Sequence, residues 1–217
     1  MASFKDIIFS ISSISDVSEC LPLICWIFFA PKKMPYTLMG IFFIVSAPLK
    51  VFTLITAKLY FNNMPIYHLL AFIEILMVYC FYSFLLHKHV NYWAIVVLLV
   101  FNGLNSLFIQ SIYTFNSLAW TLNMLLLIVM GLLYFYRLYQ DDENYTPLEQ
   151  RPVFIITAGW LIYASGSLFT YLMGTEILAG KPEGFFNNAW VFQSVSNILK
   201  NIIISYGLVL TRLQCRM

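Results

Sequence analysis

Hydrophobic and polar residues alternate along this chain on the scale of whole helices. Seven long apolar runs stand at about residues 8–30, 36–58, 66–86, 92–113, 116–137, 153–174 and 188–211. Each approaches or exceeds the roughly 20 residues that an α-helix needs to cross a hydrocarbon core. The breaks between them are short: Pro31-Lys32-Lys33-Met34-Pro35, Asn62-Asn63-Met64-Pro65, His87-Lys88-His89 and a tight turn near Phe115-Asn116. Two longer loops follow. Residues 140–150 carry Asp141, Asp142, Glu143 and Glu149, and residues 175–188 carry Gly180-Lys181-Pro182-Glu183-Gly184. Neither could hold a second domain. The pattern predicts an all-α polytopic membrane protein, a single seven-transmembrane-helix bundle over residues 1–217. The first run is the most dilute, because Ser12, Ser13, Ser15, Asp16, Ser18 and Glu19 interrupt its first half. The same acidic residues, with no small-residue cleavage site after them, argue against a cleavable signal.

Polar residues inside the runs follow helical spacing. Asp16 and Glu19 are three apart, with Ser12 one turn earlier, so all three are expected on one face. Ser46, Lys50 and Thr53 form a second stripe, and Gln193, Ser196, Asn197 and Lys200 a third, with Asn201 at its edge. Trp160, Tyr163, Ser167, Thr170 and Tyr171 align on the sixth run. Asn102, Asn105 and Ser106 align on the fourth, and Asn116, Trp120 and Asn123 on the fifth. A charge at the centre of a spanning helix costs about 2.5–3.5 kcal/mol on insertion scales, so such charges face the bundle interior and find partners. The pattern therefore predicts a central polar cavity or network built on Asp16, Glu19, Lys50, Glu74, Gln193, Asn197 and Lys200. Helical rise sets Asp16, Glu74 and Lys50 roughly 12–14 Å below the outer surface and Lys200 at roughly 18 Å, with three carboxylates and Lys50 in the outer half. Simple packing by interhelical hydrogen bonds is the expected role of Asn102, Asn105, Asn123 and Ser167, and Asp16 and Glu19 could instead line the mouth of a shorter first helix.

Composition agrees with this reading. Hydrophobic residues make up 61% of the chain and charged residues only 10%, against roughly 25% charged in soluble domains. Twenty Phe, fourteen Tyr and five Trp make it rich in aromatic side chains. Of these, Tyr36, Tyr92, Trp93, Tyr139 and Trp190 fall near segment ends, where such rings anchor at the headgroups. A net charge of +2 without a dense Lys/Arg tract gives no purchase on nucleic acid. Lys32, Lys33, Lys88, Arg137, Arg151, Arg212 and Arg216 fall on one side of the predicted membrane, and only Lys5, Lys58 and Lys181 on the other. Positive charge is retained in the cytoplasm, which places the C-terminus inside and the N-terminus outside, in a multi-pass protein of the inner (plasma) membrane. The sequon Asn144-Tyr145-Thr146 then falls on the cytoplasmic side, where it would carry no glycan. Cys20, Cys25, Cys80 and Cys215 show no ligand spacing and read as small apolar fillers. His68 is expected at the interface, His87 and His89 at the surface, and no metal site is predicted.

Four stretches carry a resemblance to small stand-alone bacterial seven-helix membrane proteins. They are Tyr67-His68-Leu69-Leu70 through Glu74, Phe115-Asn116-Ser117-Leu118, the run from Phe154 to Ser167 with Gly159-Trp160-Leu161-Ile162-Tyr163, and Ser196-Asn197-Ile198-Leu199-Lys200-Asn201. That resemblance implies a bundle and an envelope location, and no activity. The chain also resembles microbial rhodopsins, which place a retinal-linked lysine midway along helix seven, an acid on helix three, and Trp and Tyr on helix six. The resemblance implies those roles for Lys200, Glu74, Trp160 and Tyr163. The chain departs from that family at Ser196, where an acid usually precedes the lysine by one turn. Its third helix also lacks the Arg and the Trp-flanked acid, and its sixth lacks the proline after Tyr163.

Three functions fit the pattern. The first is a sensor-like or accessory module that binds a small ligand, a lipid or a protein partner, or a second copy of itself, through the polar core, with no cofactor. The second is a retinal-binding or proton- or ion-translocating protein using Lys200 and Glu74, although no inverted repeat is visible. The third is an intramembrane lipid-modifying enzyme, for which Asp16, Glu19 and His68 are the only candidates and no nucleophile–base motif stands beside them.

Overall fold

The computed structural model describes residues 4–87, 89–140, 147–178 and 187–214, with side chains over 10–86, 89–140, 147–178 and 189–213. Lys88, the acidic residues Asp141, Asp142 and Glu143, the Asn144 sequon, Lys181 with its loop, Cys215 and Arg216 lie outside the described residues, as do the side chains of Lys5 and His87.

Apart from a short 3₁₀ turn at Leu148–Gln150 and a π-helical turn, the described elements are α-helices. They are α1 (Phe4–Ser18), α2 (Cys20–Phe28), α3 (Tyr36–Lys58), α4 (Met64–His87), α5 (Tyr92–Leu104), α6 (Ser117–Tyr139), α7 (Pro152–Leu172), α8 (Gly174–Leu178) and α9 (Asn187–Gln214). Seven helical segments are long and apolar enough to cross a membrane, with α1 and α2 together supplying the first, Ser10–Phe28. The chain is thus a multi-pass helical membrane bundle. The second to seventh runs correspond to α3, α4, α5, α6, α7 and α9.

Three boundaries differ from the sequence reading, each for a local reason. The first run is not one continuous helix. Pro22 has no N–H for the Ser18 carbonyl and its ring crowds that carbonyl, so α1 ends at Ser18 and α2 begins after Glu19. The fourth run ends early, in a π-helical turn at Asn105–Ile109. Its connection to α6 is consequently a longer excursion, residues 110–116, rather than a tight turn at Phe115. Gln110 stabilises that excursion: its Oε1 accepts from the Leu118 N–H at 3.0 Å and its Nε2 donates to Ser117 Oγ at 2.8 Å. Lastly, α7 stops at Leu172 and the short α8 follows.

Packing orders the helices. The largest interface joins α7 to α9; α6 packs on α7, α4 on α6 and α3 on α4, while α1 and α2 lie against both α9 and α3. Helix α5 sits at the edge against α4 with almost all of its surface outward. Phe43, Ile75, Phe81, Met124, Ile156 and Ile204 fill the apolar core. Membrane helices gain little from the hydrophobic effect between themselves and rely on close packing at small residues. Two glycines show this. A Cβ on Gly166 would overlap Ser196 Oγ across the α7–α9 interface, and one on Gly40 would overlap the Trp26 ring where α2 crosses α3. The Trp26 ring cannot simply withdraw, since Lys32 Nζ lies 3.4 Å from its centroid and donates to the Trp26 carbonyl at 2.6 Å. Gly40→Val should therefore lower stability by about 1–3 kcal/mol through overpacking. Reversible unfolding in detergent measures it, and an unchanged midpoint would show that α2 does not dock on Gly40.

Candidate functional site

The first segment brings two acids into the bundle, and two other helices bring lysines to meet them. Asp16 Oδ1 lies 3.5 Å from Lys50 Nζ on α3, and Glu19 Oε1 lies 3.6 Å from Lys200 Nζ on α9. None of the four side chains is more than 9% exposed. These separations exceed the ~2.7–2.9 Å of a tight charge-assisted hydrogen bond. At an effective dielectric of about 20, each pair gains roughly 4–5 kcal/mol of attraction. Desolvation costs several kcal/mol per ion. The pairs thus hold geometry more than they add net stability, and loss of one member strands the other.

Aromatic rings complete each lysine site. Lys200 Nζ lies 4.4 Å from the Tyr163 ring centroid and 4.7 Å from that of Trp160. Lys50 Nζ lies 5.5 Å from Tyr67 and 5.9 Å from Trp120. A cation over a ring gains about 2 kcal/mol when water is excluded, which offsets part of the burial cost.

The expected α9 stripe is buried and divides its work. Asn197 Nδ2 donates to Ser15 Oγ at 2.9 Å and to the Ser15 carbonyl at 3.2 Å, and Asn201 Nδ2 donates to Ser18 Oγ at 2.7 Å. Asn197, Lys200 and Asn201 thus form one ladder that binds the first segment. Gln193 lies a turn earlier on α9 and donates from Nε2 to Tyr171 OH at 3.0 Å, which in turn is 2.9 Å from Tyr163 OH.

Asp16 and Glu19 lie close enough to act on each other, but they engage different helices: Asp16 reaches α3, while Glu19, in the α1–α2 break, reaches α9. Glu74 is only 4% exposed, joins neither ion pair, and its Oε1 has no hydrogen-bond partner. The charged groups acting on it are Lys200, Glu19 and Lys50 in that order, and it also lies near Tyr163 and Tyr171. The structure therefore gathers Asp16, Glu19, Lys50, Glu74 and Lys200 into one electrostatically linked cluster with two matched pairs and one unmatched acid. Trp160 and Tyr163 do meet Lys200, whereas the carboxylate at Lys200 is that of Glu19 and not of Glu74.

Other polar residues are structural ties. Asn123 Nδ2 bonds the Ala71 carbonyl at 2.7 Å between α6 and α4, and Asn105 bonds Asn116. Asn102 bonds the Leu98 carbonyl of its own helix, and Ser167 Oγ has no hydrogen-bond partner. His68, expected at the interface, is enclosed by protein: its Nδ1 is 2.8 Å from Ser106 Oγ and its Nε2 is 3.0 Å from the Thr114 carbonyl. The longer turn after α5 is what reaches it. Trp190, half-buried near the start of α9, packs edge-on against Phe115 at 5.4 Å, while Tyr92, Trp93 and Tyr139 are widely exposed. Tyr67 and Ser15 were not singled out from the sequence. Ser15, Ser18 and Glu19 share the i, i+3, i+4 spacing that could have found Ser15; Tyr67 next to His68 at a helix start carries no such signal. Among the described residues, no group of three His, Cys, Asp or Glu side chains could hold a metal ion.

The chain matches no family model, and no curated protein or solved structure matches it. Any functional assignment therefore rests on the site itself.

Proposed function

We propose that this chain is a sensor-like or accessory module of the inner (plasma) membrane that binds a small ligand, a lipid or a partner protein through its polar intramembrane core. In this reading the N-terminus is outside and the C-terminus cytoplasmic, as the distribution of Lys and Arg favours. The observation that carries it is the set of buried polar atoms, Glu74 Oε1 among them, that have no hydrogen-bond partner. Glu74 Oε1, Glu19 Oε2, Trp160 Nε1 and Ser167 Oγ are all enclosed, and none has a hydrogen-bond partner. A buried polar atom left unsatisfied costs about 1–3 kcal/mol. Donors and acceptors of this kind, on the α1–α2 break, α4 and α7, are suited to a polar occupant or to a partner's polar group.

Translocation or a retinal linkage is a second reading, favoured by the contact of Lys200 with Trp160 and Tyr163. It ranks lower because the Lys200 ammonium is already engaged by Glu19. The enzyme reading ranks lower because Asp16 and Glu19 are each paired with a lysine, although His68 does stand 2.8 Å from the Ser106 hydroxyl.

The deciding experiment is native purification followed by mass spectrometry of whatever co-purifies. Glu74→Leu should insert normally and retain its helicity, yet lose at least tenfold of the bound ligand or partner, the equivalent of about 1.4 kcal/mol. A Glu74→Leu protein carrying the parent's full complement would rule out Glu74 as the recognition group.

A further inference from the structure

The charge count of the core is unbalanced. Three acids, Asp16, Glu19 and Glu74, share it with two lysines, Lys50 and Lys200, and each lysine already stands at a carboxylate of the first segment. With all five ionised the core carries one uncompensated negative charge, and burying such a charge in a low dielectric costs several kcal/mol. The acid without a lysine contact is Glu74, and its Oε1 has no hydrogen-bond partner, whereas Glu19, with Oε2 unpartnered, has Lys200 at its Oε1.

What balances it must be a single positive charge. A divalent cation would bring two charges and takes about six or more oxygen ligands, and among the described residues no three His, Cys, Asp or Glu side chains come together to hold a metal ion. A proton needs only one oxygen, and Glu74 Oε1 has no other partner.

The groups around Glu74 say what the proton would control. From the break after α1 comes Glu19, from α3 Lys50, from α9 Lys200 and from α7 Tyr163 and Tyr171, while on the α6 side Asn123 bonds the Ala71 carbonyl one turn before Glu74. Lys200 is within electrostatic reach of both Glu19 and Glu74 and makes an ion-pair contact only with Glu19.

We propose that Glu74 is a reversible proton-binding site within the membrane, and that release of its proton draws Lys200 away from Glu19 and loosens the first segment from α9. The proton passes from the Glu74 carboxyl to water, leaving a carboxylate that competes for the same ammonium. Glu19 is well placed to yield, because it occupies the α1–α2 break, where its N–H reaches the Asp16 carbonyl at a long 3.4 Å. The remaining ties from Asn197 and Asn201 to Ser15 and Ser18 are neutral hydrogen bonds. This goes beyond the proposed function and needs no ligand, so either idea can fail alone.

Two measurements on the full chain in lipid nanodiscs test it, at about pH 5 and about pH 9, spanning the range between ordinary carboxyl and lysine titration. Infrared difference spectra should show a carboxylic-acid carbonyl band that disappears at the higher pH. The band should be absent in Glu74→Gln and intact in Glu149→Gln, whose side chain is exposed. Hydrogen exchange of the amides of residues 10–18, corrected for the intrinsic pH effect, should be about tenfold faster at the higher pH in the parent and pH-independent in Glu74→Gln. A band that survives Glu74→Gln, the absence of a pH-dependent band, or exchange that responds to pH equally in both proteins would overturn the proposal. Saturable sodium binding at constant pH, lost in Glu74→Gln, would overturn it in favour of a metal cation. If Glu74→Gln does not insert, Glu74→Asp keeps the carboxyl and should shift the band; an unshifted band counts against Glu74.

Discussion

Lys200→Met is expected to destabilise the bundle by about 3–5 kcal/mol, the cost of stranding a buried charge whose partner has been removed. Glu19 would be left with its carboxylate enclosed and Oε2 still without a hydrogen-bond partner. Methionine keeps most of the lysine stem's volume, so cavity formation contributes little. The loss should therefore be reversible by a second change: Glu19→Gln with Lys200→Met should recover most of it. Unfolding in mixed micelles reads both values. A single variant as stable as the parent would show that Glu19 reaches water, and a double variant no better than the single would show that the loss comes from Tyr163 and Trp160 rather than from the pair.

Asp16→Leu is the second large effect, at about 2–3 kcal/mol. It strands Lys50, but that ammonium retains Tyr67 and Trp120 within 5.5 and 5.9 Å, and a desolvated cation–π contact returns part of the loss. The Asp16→Leu, Lys50→Leu double variant should again recover stability. Both ion pairs fasten the same short segment, so Asp16→Leu and Lys200→Met together should lose less than the sum of their separate effects. Once one pair has freed the segment, the second has less left to hold. Strict additivity would mean that the two pairs anchor independently.

Much of this was legible along the chain because helical period and membrane thickness are local constraints. All seven runs correspond to helical segments long and apolar enough to cross a membrane, with boundaries within a few residues of expectation, the first of them broken at Glu19. The stripes Ser46–Lys50–Thr53, Asn116–Trp120–Asn123 and Trp160–Tyr163–Ser167 are buried as a helix period requires. Membrane insertion enforces this reading, since polar side chains spaced at three and four residues have one inexpensive direction in which to point. The split after Ser18 was also written locally, in Pro22. The long turn after Ile109 was not, because it depends on Gln110 bonding residues seven and eight positions ahead.

The apolar runs and their buried charges are a property of the chain itself: anything this hydrophobic, with two lysines and three acids inside its spans, must fold as a membrane bundle that turns those groups inward. Which acid meets which lysine was open until the helices were placed. Spacing makes Asp16 and Glu19 near-equivalent, and it offers Lys200 both Glu19 and Glu74. The choice depends on how α1 and α2 lie between α3 and α9, a rigid-body arrangement set by packing at sites such as Gly40 and by the Asn197 and Asn201 ladder. Helix period encodes the direction of a side chain, but only the meeting of helices distant in sequence assigns its partner. That meeting pairs Glu19 with Lys200 and leaves Glu74 unpaired.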